Sequence, residues 1–534
     1  MKPTPGSLTA ATLEIFKHLF TSVAEEMGAT LGRTGYSSNI KERRDYSCAV
    51  FLGDGRMLAQ AAHIPVHLGA MPASVRAAIS HGAPFRPGDV MILNDPYLGG
   101  THLPDITLVS PVFASEGSET PDFFVASRAH HADIGGMVPG SMPLSTELYQ
   151  EGLIIPPVRL VEAGRTQQGI LDLIIRNSRT PEERQGDLAA QLAAHKVGAR
   201  RLDEITRRYG LADVRQQAAG LIDYAERLTE AMLRELPAGT YTFEDSLDHD
   251  GISEEPIPIR AAITIGDGRM RVDFNGSAPA TAGSLNAVRA IVESAVLYVV
   301  RCIAGETLPV NEGVFAPIEF ILPEGSVLNP DPPHAVAGGN VETSMRIVDV
   351  LYGALAQALP DHIPAASQGT MNNLAFGGIH PQTGRPFAYY ETLGGGSGAG
   401  PLTDGTSGIH CHMTNTLNTP VEALEMALPV RVRRYALREG SGGAGERRGG
   451  DGLIRSIEFL APARVTLLTD RRMRGPYGLH GGADGQPGLN ELEPGDGSPP
   501  RELPGKLILD ARPGDVLSLY TPGGGGWGSP NRED

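Results

Sequence analysis

Residues 90–112 read VMILNDPYLGGTHLPDITLVSPV, and the fold class follows from this stretch and the segments around it. Its two ends, residues 90–94 and 106–112, are apolar and rich in branched side chains, which predicts two β-strands. The loop between them carries Asp95, His102 and Asp105. Because functional side chains are often held in loops that a rigid sheet positions, this loop is a candidate site.

A second polar group follows a third predicted strand, residues 123–128. The strand leads into His130, His131 and Asp133, which with the first loop gives three imidazoles and three carboxylates. Neutral imidazole supplies a directional nitrogen and carboxylates neutralise the charge of a cation, so this set of groups suits Mn, Fe or Zn. The sequence therefore predicts a divalent metal site at strand ends.

The rest of the chain alternates between helical and strand patterns. An amphipathic helix is predicted over residues 8–33, capped by Ser7 or Thr9, and a strand over residues 47–52. Further predicted helices are 181–209, 213–236, 287–303 and 342–359, and further predicted strands are 239–245, 259–265 and 270–274. We therefore predict a mixed α/β (α+β) fold, multi-domain and strand-rich with several long helices.

We expect one module over residues 8–530, because 534 residues exceed a single compact core and no internal repeat is visible. Within it we predict a metal-site region (8–178), a helical segment (179–237), an α+β region (238–430) and a glycine-rich β region (431–530). The glycines of residues 394–398 favour close backbone approach or a mobile loop. His195 lies mid-helix among polar residues and is predicted at the surface.

Composition excludes several partners. Asp and Glu outnumber Lys and Arg by 62 to 45, and the net charge of −17 opposes both nucleic acid and an anionic membrane surface. There is no apolar run long enough to cross a bilayer and no apolar core of an export signal. With only three widely spaced cysteines, a cytoplasmic location is expected.

Common nucleotide and nucleophile motifs are missing. No GxxxxGK[ST] loop exists, so ATP should not be held by a P-loop in this chain. Residues 440–445 satisfy GxGxxG, but no helix start follows, which favours a flexible loop over any cofactor-binding role. There is no GxSxG elbow. If residues 410–412 form a strand, His410 and His412 share a face that excludes Cys411, and we therefore predict that Cys411 is a packing residue.

Several motifs together resemble one known family. They are GYSSNIKERRDYS (35–47), HIPVHLGAM (63–71), the loop 94–105, NVET (340–343), QGTMNN (368–373), ET (391–392), HMTNT (412–416) and TPGGGGWG (521–528). The chain resembles the B subunit of the hydantoinase and 5-oxoprolinase family from about residue 8 to residue 530. That resemblance implies a hetero-oligomer with an A subunit that binds ATP.

The resemblance gives the candidate residues their roles. His102, Asp105 and one or both of His130 and His131 are the expected metal ligands, with Asp133, Asp95 and Glu42 as further ligands or as carboxylates that orient the imidazoles. Asp45 or His67 is the expected general base, and Arg43 or Arg44 would stabilise a carboxylate or an oxyanion. His412, Thr414 and Asn415 match a family motif and are expected to line the active site.

Three functions fit this reading. The first is a metal-dependent subunit of an ATP-dependent cyclic amidohydrolase that opens hydantoin, N-methylhydantoin or 5-oxoproline. The second is a subunit of an ATP-dependent ketone carboxylase, and the third is a non-catalytic scaffold for the A subunit. The mass of 56.5 kDa resembles that of hydrolase B subunits more than that of the longer carboxylase chains, which favours hydrolysis.

Overall fold

The computed structural model describes residues 9–61, 63–114, 118–305 and 308–530. Within these ranges it contains nine α-helices and twenty strands in four sheets. None of these helices combines the length and the apolar character needed to span a bilayer. The predicted mixed α/β class with several sheets and long helices is confirmed.

The helices follow the chain in order from α1 to α9. Their bounds are α1 Ala10–Thr34, α2 Ser38–Lys41, α3 Met71–Gly82, α4 Gln168–Arg176, α5 Pro181–Tyr209, α6 Leu211–Glu235, α7 Arg289–Ala304, α8 Ser344–Leu355 and α9 Val421–Ala427. The long helices therefore lie where periodicity predicted them. Helix α8 begins two residues later than expected because a π-helical turn, Gly339–Thr343, precedes it.

The first and second sheets use the strands of the N-terminal half. Their bounds are β1 Tyr46–Leu52, β2 Met57–Gln60, β3 Val90–Leu93, β4 Asp105–Val112, β5 Phe123–His130, β6 Val158–Glu162, β7 Arg165–Thr166, β8 Gly239–Leu247, β9 Ile257–Gly266, β10 Arg269–Asp273 and β11 Ile318–Ile321. The seven-stranded sheet has the order β2-β1-β5-β4-β3-β6-β7, and the second has the order β11-β10-β9-β8. The strands predicted around the polar loop are thus neighbours in one sheet.

The third and fourth sheets use the C-terminal strands. Their bounds are β12 Asn373–Ile379, β13 Pro386–Glu391, β14 Val430–Arg438, β15 Gly452–Phe459, β16 Ala463–Leu468, β17 Leu489–Glu493, β18 Arg501–Leu503, β19 Lys506–Ala511 and β20 Val516–Tyr520. The orders are β13-β12-β16-β19 and β14-β15-β20-β17-β18.

Helix α1 covers the first sheet. Thr9 caps it, since its hydroxyl accepts the Thr12 amide at 3.2 Å, and Leu8 and Ser7 lie outside the described residues. The apolar face of α1, including Phe16, Phe20 and Met27, is buried together with residues of β1, β5, α5 and α6. Burying side chains of this size stabilises the layer by roughly 2 kcal/mol each. This packing fixes the back of the sheet whose strand ends carry the polar residues.

His195 is buried, so its predicted surface position is wrong. The imidazole lies between Ser110 and Ser127, whose hydroxyl oxygens are 2.6 Å and 2.9 Å from its two nitrogens. Two hydroxyl partners satisfy both nitrogens, which is why a polar side chain on α5 can face the sheet. Burial lowers the pKa of His195 to about 3 and keeps the ring neutral.

Glycine-rich segments form what we call the glycine bundle, residues 394–400, 441–450, 475–485 and 522–528. The segments run extended and bond backbone to backbone, for example Gly443 N to Gly524 O at 2.8 Å and Gly524 N to Gly450 O at 2.9 Å. A Cβ on Gly524 would lie 1.9 Å from the Ser397 carbonyl oxygen. Close backbone approach is therefore the reason for the glycines at 394–398, and the flexible loop predicted at 440–445 is wrong because that segment is packed.

Replacing Gly524 with alanine should destabilise the protein by about 3 kcal/mol, because the added methyl group overlaps a backbone oxygen that cannot move alone. Gly169→Ala is the matched control, since Gly169 lies in α4 with no atom near its Cβ position, and it should raise stability by about 0.5 kcal/mol. Urea unfolding of both variants measures the difference. Equal midpoints would contradict the packing of the bundle.

Acid should weaken the fold through His195. In the unfolded chain this group takes a proton below its ordinary pKa of 6.5, whereas in the folded protein it stays neutral down to about pH 3. Its contribution is complete above pH 6.5 and is lost as pH falls, by about 1.4 kcal/mol per pH unit. The variant His195→Gln can bond both serines without titrating, and urea unfolding at pH 7, 6 and 5 should show a correspondingly shallower pH dependence. An unchanged slope would refute this assignment.

Candidate metal centre

The pairing of β4 with β5 builds the centre of the candidate site. Asp105 is the first residue of β4 and stands opposite His130, the last residue of β5. His102 comes from the loop just before β4, and His67 ends a short 3-10 helix, Pro65–His67. Four segments that are far apart in sequence therefore converge on one strand end.

The Asp105 carboxylate is surrounded by imidazoles. Its Oδ1 lies 3.0 Å from His102 Nε2 and 3.3 Å from His130 Nδ1, and its Oδ2 lies 3.3 Å from His67 Nε2. Thr101 donates its hydroxyl to Oδ2 at 3.0 Å. All four titratable side chains are at most 2 % exposed. One atom each from His102, Asp105 and His130 lies within 4.8 Å of the others, which is close enough to share a metal ion.

Hydrogen-bond accounting favours a cation between these groups. The Ala337 carbonyl can only accept, so the 3.3 Å contact puts a proton on His102 Nδ1 and leaves Nε2 with a lone pair. Among the described residues, Asp105 Oδ1 and His130 Nε2 have no hydrogen-bond partner. Lone pairs that face each other without protons repel, and a divalent ion relieves that repulsion. The nitrogen and oxygen donors fit Mn, Fe or Zn.

Protonation states agree with a ligand set. Burial alone would raise the pKa of Asp105, but attraction to His102 and His67 and hydrogen bonds from His102 and His130 hold it well below its usual range. Burial lowers the pKa of His130. An ionised carboxylate and a neutral imidazole are the forms that bind metals.

A narrow cavity of about 20 Å³ opens beside the donors, and we call it the metal cavity. That volume is enough for about one water molecule. Asp45, Asn340, Tyr390 and Thr414 line it, together with Asp105, His130 and His67. The Tyr390 ring stacks on the His130 ring with centroids 4.5 Å apart and fixes its plane.

Four predicted ligands lie outside the cluster. The His131 ring faces α5, where its Nε2 is 3.1 Å from Gln191 Oε1, because neighbouring residues of a strand point to opposite sides. Asp133 pairs with Arg179 at 2.9 Å. Asp95 accepts the Tyr97 amide as a turn cap. Glu42 is half-buried and does not join the metal-ligand cluster.

The predicted catalytic residues divide between two places. Asp45 and His67 line the metal cavity, whereas His412 does not. His412 has a left-handed backbone (φ 56°) and lies 3.7 Å from Asp349 and 3.4 Å from the hydroxyl of Tyr298. Residues 410–412 form no strand, so the predicted shared face of His410 and His412 is wrong. Cys411 is buried, as expected for a packing residue, and burial raises its pKa to about 12.

Arg43 supports the site from behind. It is fully buried, and its guanidinium donates to the Tyr390 carbonyl and the Thr392 hydroxyl, both at 3.0 Å. It also lies 3.8 Å from Asp45. Arg44, the alternative candidate, is exposed. Thr414 lines the metal cavity, but Asn415 faces away and donates to the His63 carbonyl.

Sequence reasoning missed three residues of the site. Asn340 Nδ2 lies 3.1 Å from His102 Nε2. Tyr390 stacks on His130, and its hydroxyl donates to Asn373, whose amide donates to Glu342. Burial raises the pKa of Glu342 to about 7. The NVET motif at 340–343 was a usable signal, because it forms the π-helical turn, a feature frequent at functional sites.

Comparisons with known proteins agree with this geometry. A family model described as Hydantoinase B/oxoprolinase matches residues 9–530. The chain belongs to this family. The resemblance read from the motifs is thereby confirmed, and the metal cluster lies inside the hydantoinase B/oxoprolinase region.

Individual relatives of this hydantoinase B/oxoprolinase chain support the assignment. It is 42% identical to 5-oxoprolinase 1 of Arabidopsis thaliana over 97% of its own length and 42% of that protein's, so it spans about two fifths of that relative. The crystal structure of the ATP-dependent caprolactamase from Pseudomonas jessenii matches with a TM-score of 0.90 and 29% identity, covering 98% of this chain and 92% of that one. A nucleotide-free acetone carboxylase structure, at 20% identity and a TM-score of 0.86, covers 97% and 76% and shares the fold.

The cluster predicts which histidines retain a metal. His102→Ala should weaken Mn²⁺ or Zn²⁺ binding by at least about tenfold, because a buried donor is lost. His131→Gln should leave binding unchanged, since that side chain faces Gln191. Elemental analysis after dialysis, with circular dichroism as the folding control, checks both variants. Loss of metal in His131→Gln alone would contradict the ligand set.

Proposed function

We propose that this chain is the metal-dependent component of an ATP-dependent cyclic amidohydrolase and acts with an ATP-binding A-type chain. The observation that carries the proposal is the buried Asp105 carboxylate among His102, His130 and His67, with one carboxylate oxygen lacking a partner. Family membership directs it towards cyclic amides such as hydantoin, N-methylhydantoin or 5-oxoproline. The caprolactam named for the structural relative is also a cyclic amide.

His102, Asp105 and His130 would hold the ion, and His67 lies within reach of the same carboxylate. A bound divalent metal polarises a carbonyl oxygen and lowers the pKa of bound water, which helps because attack on a lactam must overcome amide resonance. His131, Asp133, Asp95 and Glu42 would act only from outside this set. Mn, Zn and Fe all fit the donors.

Asp45 is the better of the two candidate bases. Its carboxylate lines the metal cavity, whereas both nitrogens of His67 face partners, Ser47 Oγ at 2.9 Å and Asp105 at 3.3 Å. A carboxylate facing the cavity can take a proton from water and return it to the leaving nitrogen. Arg43 would position Asp45 and Tyr390, because its guanidinium is directed at groups behind the cavity.

The ATP requirement would be met by the partner. This chain contains no P-loop motif, yet a structural relative covered over 92% of its length is an ATP-dependent enzyme. The chain also covers only 42% of a 5-oxoprolinase, so a second chain would supply the remaining functions. A cytoplasmic location, where ATP and reduced thiols are present, suits this division.

Ketone carboxylation is the second candidate, and the acetone carboxylase fold is the observation that favours it. The two activities differ in their need for bicarbonate. A scaffold without catalysis is the third candidate, and it would tolerate loss of His102. The buried donors and the neighbouring carboxylate of Asp45 favour hydrolysis over a scaffold, since unpaired buried groups destabilise a fold unless they have a use.

Mixing this chain with its A-type partner, ATP and Mn²⁺ should open 5-oxoproline, hydantoin or caprolactam without bicarbonate. Asp45→Asn should lower kcat by about 100-fold while keeping the bound metal, because the base is lost and the ligands remain. Asp54→Asn is the control, since Asp54 is exposed in a turn. Chromatographic assay of ring opening checks this, and activity that appears only with bicarbonate and a ketone would favour carboxylation instead.

A further inference from the structure

A second cavity lies next to the metal cavity and is far larger. It measures about 640 Å³ and is enclosed by α1, β2 and α7, with mostly apolar walls. Cavities that bind small molecules range from roughly 300 to 1,000 Å³ and combine apolar walls with a few polar groups. The metal cavity, at about 20 Å³, has no room for a ring. A substrate therefore needs the larger cavity before it reaches the metal donors.

Two backbone segments separate the cavities, and we call them the dividing wall: residues 63–68 and 413–416. On one side His63, Pro65 and Asn415 line the larger cavity, and on the other Val66, His67 and Thr414 line the metal cavity. The Asn415 amide donates to the His63 carbonyl at 3.0 Å, and Val66 N donates to the Met413 carbonyl at 3.2 Å. The cavities are thus one wall apart.

Gln60 supplies a polar group of unusual kind in the larger cavity. It ends β2, is 4% exposed, and lines the cavity. Among the described residues its Oε1 has no hydrogen-bond partner. A buried acceptor without a donor is costly, by about 1–3 kcal/mol, and such groups call for an explanation.

We propose that the larger cavity binds the cyclic amide and that Gln60 recognises the ring. This rests on the proposed function and names its substrate-binding site. A lactam is a cis amide, so its N–H and C=O point the same way and can pair with a primary carboxamide through two hydrogen bonds. Gln60 Oε1 accepts the ring N–H, and the Gln60 amide donates to the ring carbonyl. Separation of the dividing wall then admits the ring to the metal cavity.

Cys302 gives a direct measure of occupancy. It is an exposed thiol that lines the larger cavity, whereas Cys48 and Cys411 are buried. N-ethylmaleimide should therefore modify Cys302 first, and a ligand in the cavity should slow the reaction. The variant Cys302→Ser confirms the site of labelling.

The experiment compares 2-pyrrolidinone with N-methyl-2-pyrrolidinone, two five-membered lactams that differ in the ring N–H. In the full-length chain, alone and with its A-type partner, 2-pyrrolidinone should protect Cys302 at a concentration about tenfold lower. Gln60→Leu should remove that tenfold advantage, and Gln382→Leu, at an exposed glutamine outside the cavity, should keep it. Bound metal should stay the same in all variants.

Equal protection by both lactams, or none by either, overturns the proposal, and the comparison on the unchanged protein decides this even if Gln60→Leu fails to fold. The labelling requires neither ATP nor turnover, so its result is separate from that of the ring-opening assay. Protection without ring opening would remove the hydrolase function and leave the cavity assignment. Ring opening without protection would do the reverse.

Discussion

The candidate site depends on one buried carboxylate, Asp105, which is 1% exposed and ionised. A buried charge is tolerated only where opposite charge or hydrogen bonds compensate it. Neutral imidazoles compensate poorly, because each carries a single proton and that of His102 is directed at the Ala337 carbonyl. A divalent cation would reconcile these groups, and the β4–β5 pairing that sets Asp105 opposite His130 keeps the donors close.

The groups around that carboxylate connect three parts of the fold. Tyr390 at the end of β13 stacks on His130 at the end of β5, and its hydroxyl bonds Asn373, which in turn bonds Glu342 in the π-helical turn. Each link is buried and hydrogen-bonded, so the orientation of His130 depends on the third sheet and the turn as well as on its own strand. This dependence explains why the donors sit where sheets meet.

Local sequence was sufficient for the elements and for the core of the cluster. Strand patterns placed His102, Asp105 and His130 at neighbouring strand ends, and periodicity located the long helices. It was insufficient wherever sidedness or long-range contact decided: His131 follows His130 but faces Gln191, and His195 is buried because two serines of the sheet satisfy it. Asn340 and Tyr390 are more than 200 residues from His102 and His130, a separation that no local pattern spans.

The dividing wall is anchored differently from the metal donors, and this separates its movement from theirs. Before residues 413–416, Ile409 is paired with Gly395 of the glycine bundle through two 2.9 Å backbone bonds. After them, Leu417 N bonds the Arg43 carbonyl at 3.0 Å. Between these anchors the segment has no regular structure and contains left-handed His412. Few backbone bonds would break if it moved, whereas β4 and β5 are held by a full ladder, so the wall can shift while the donors keep their geometry.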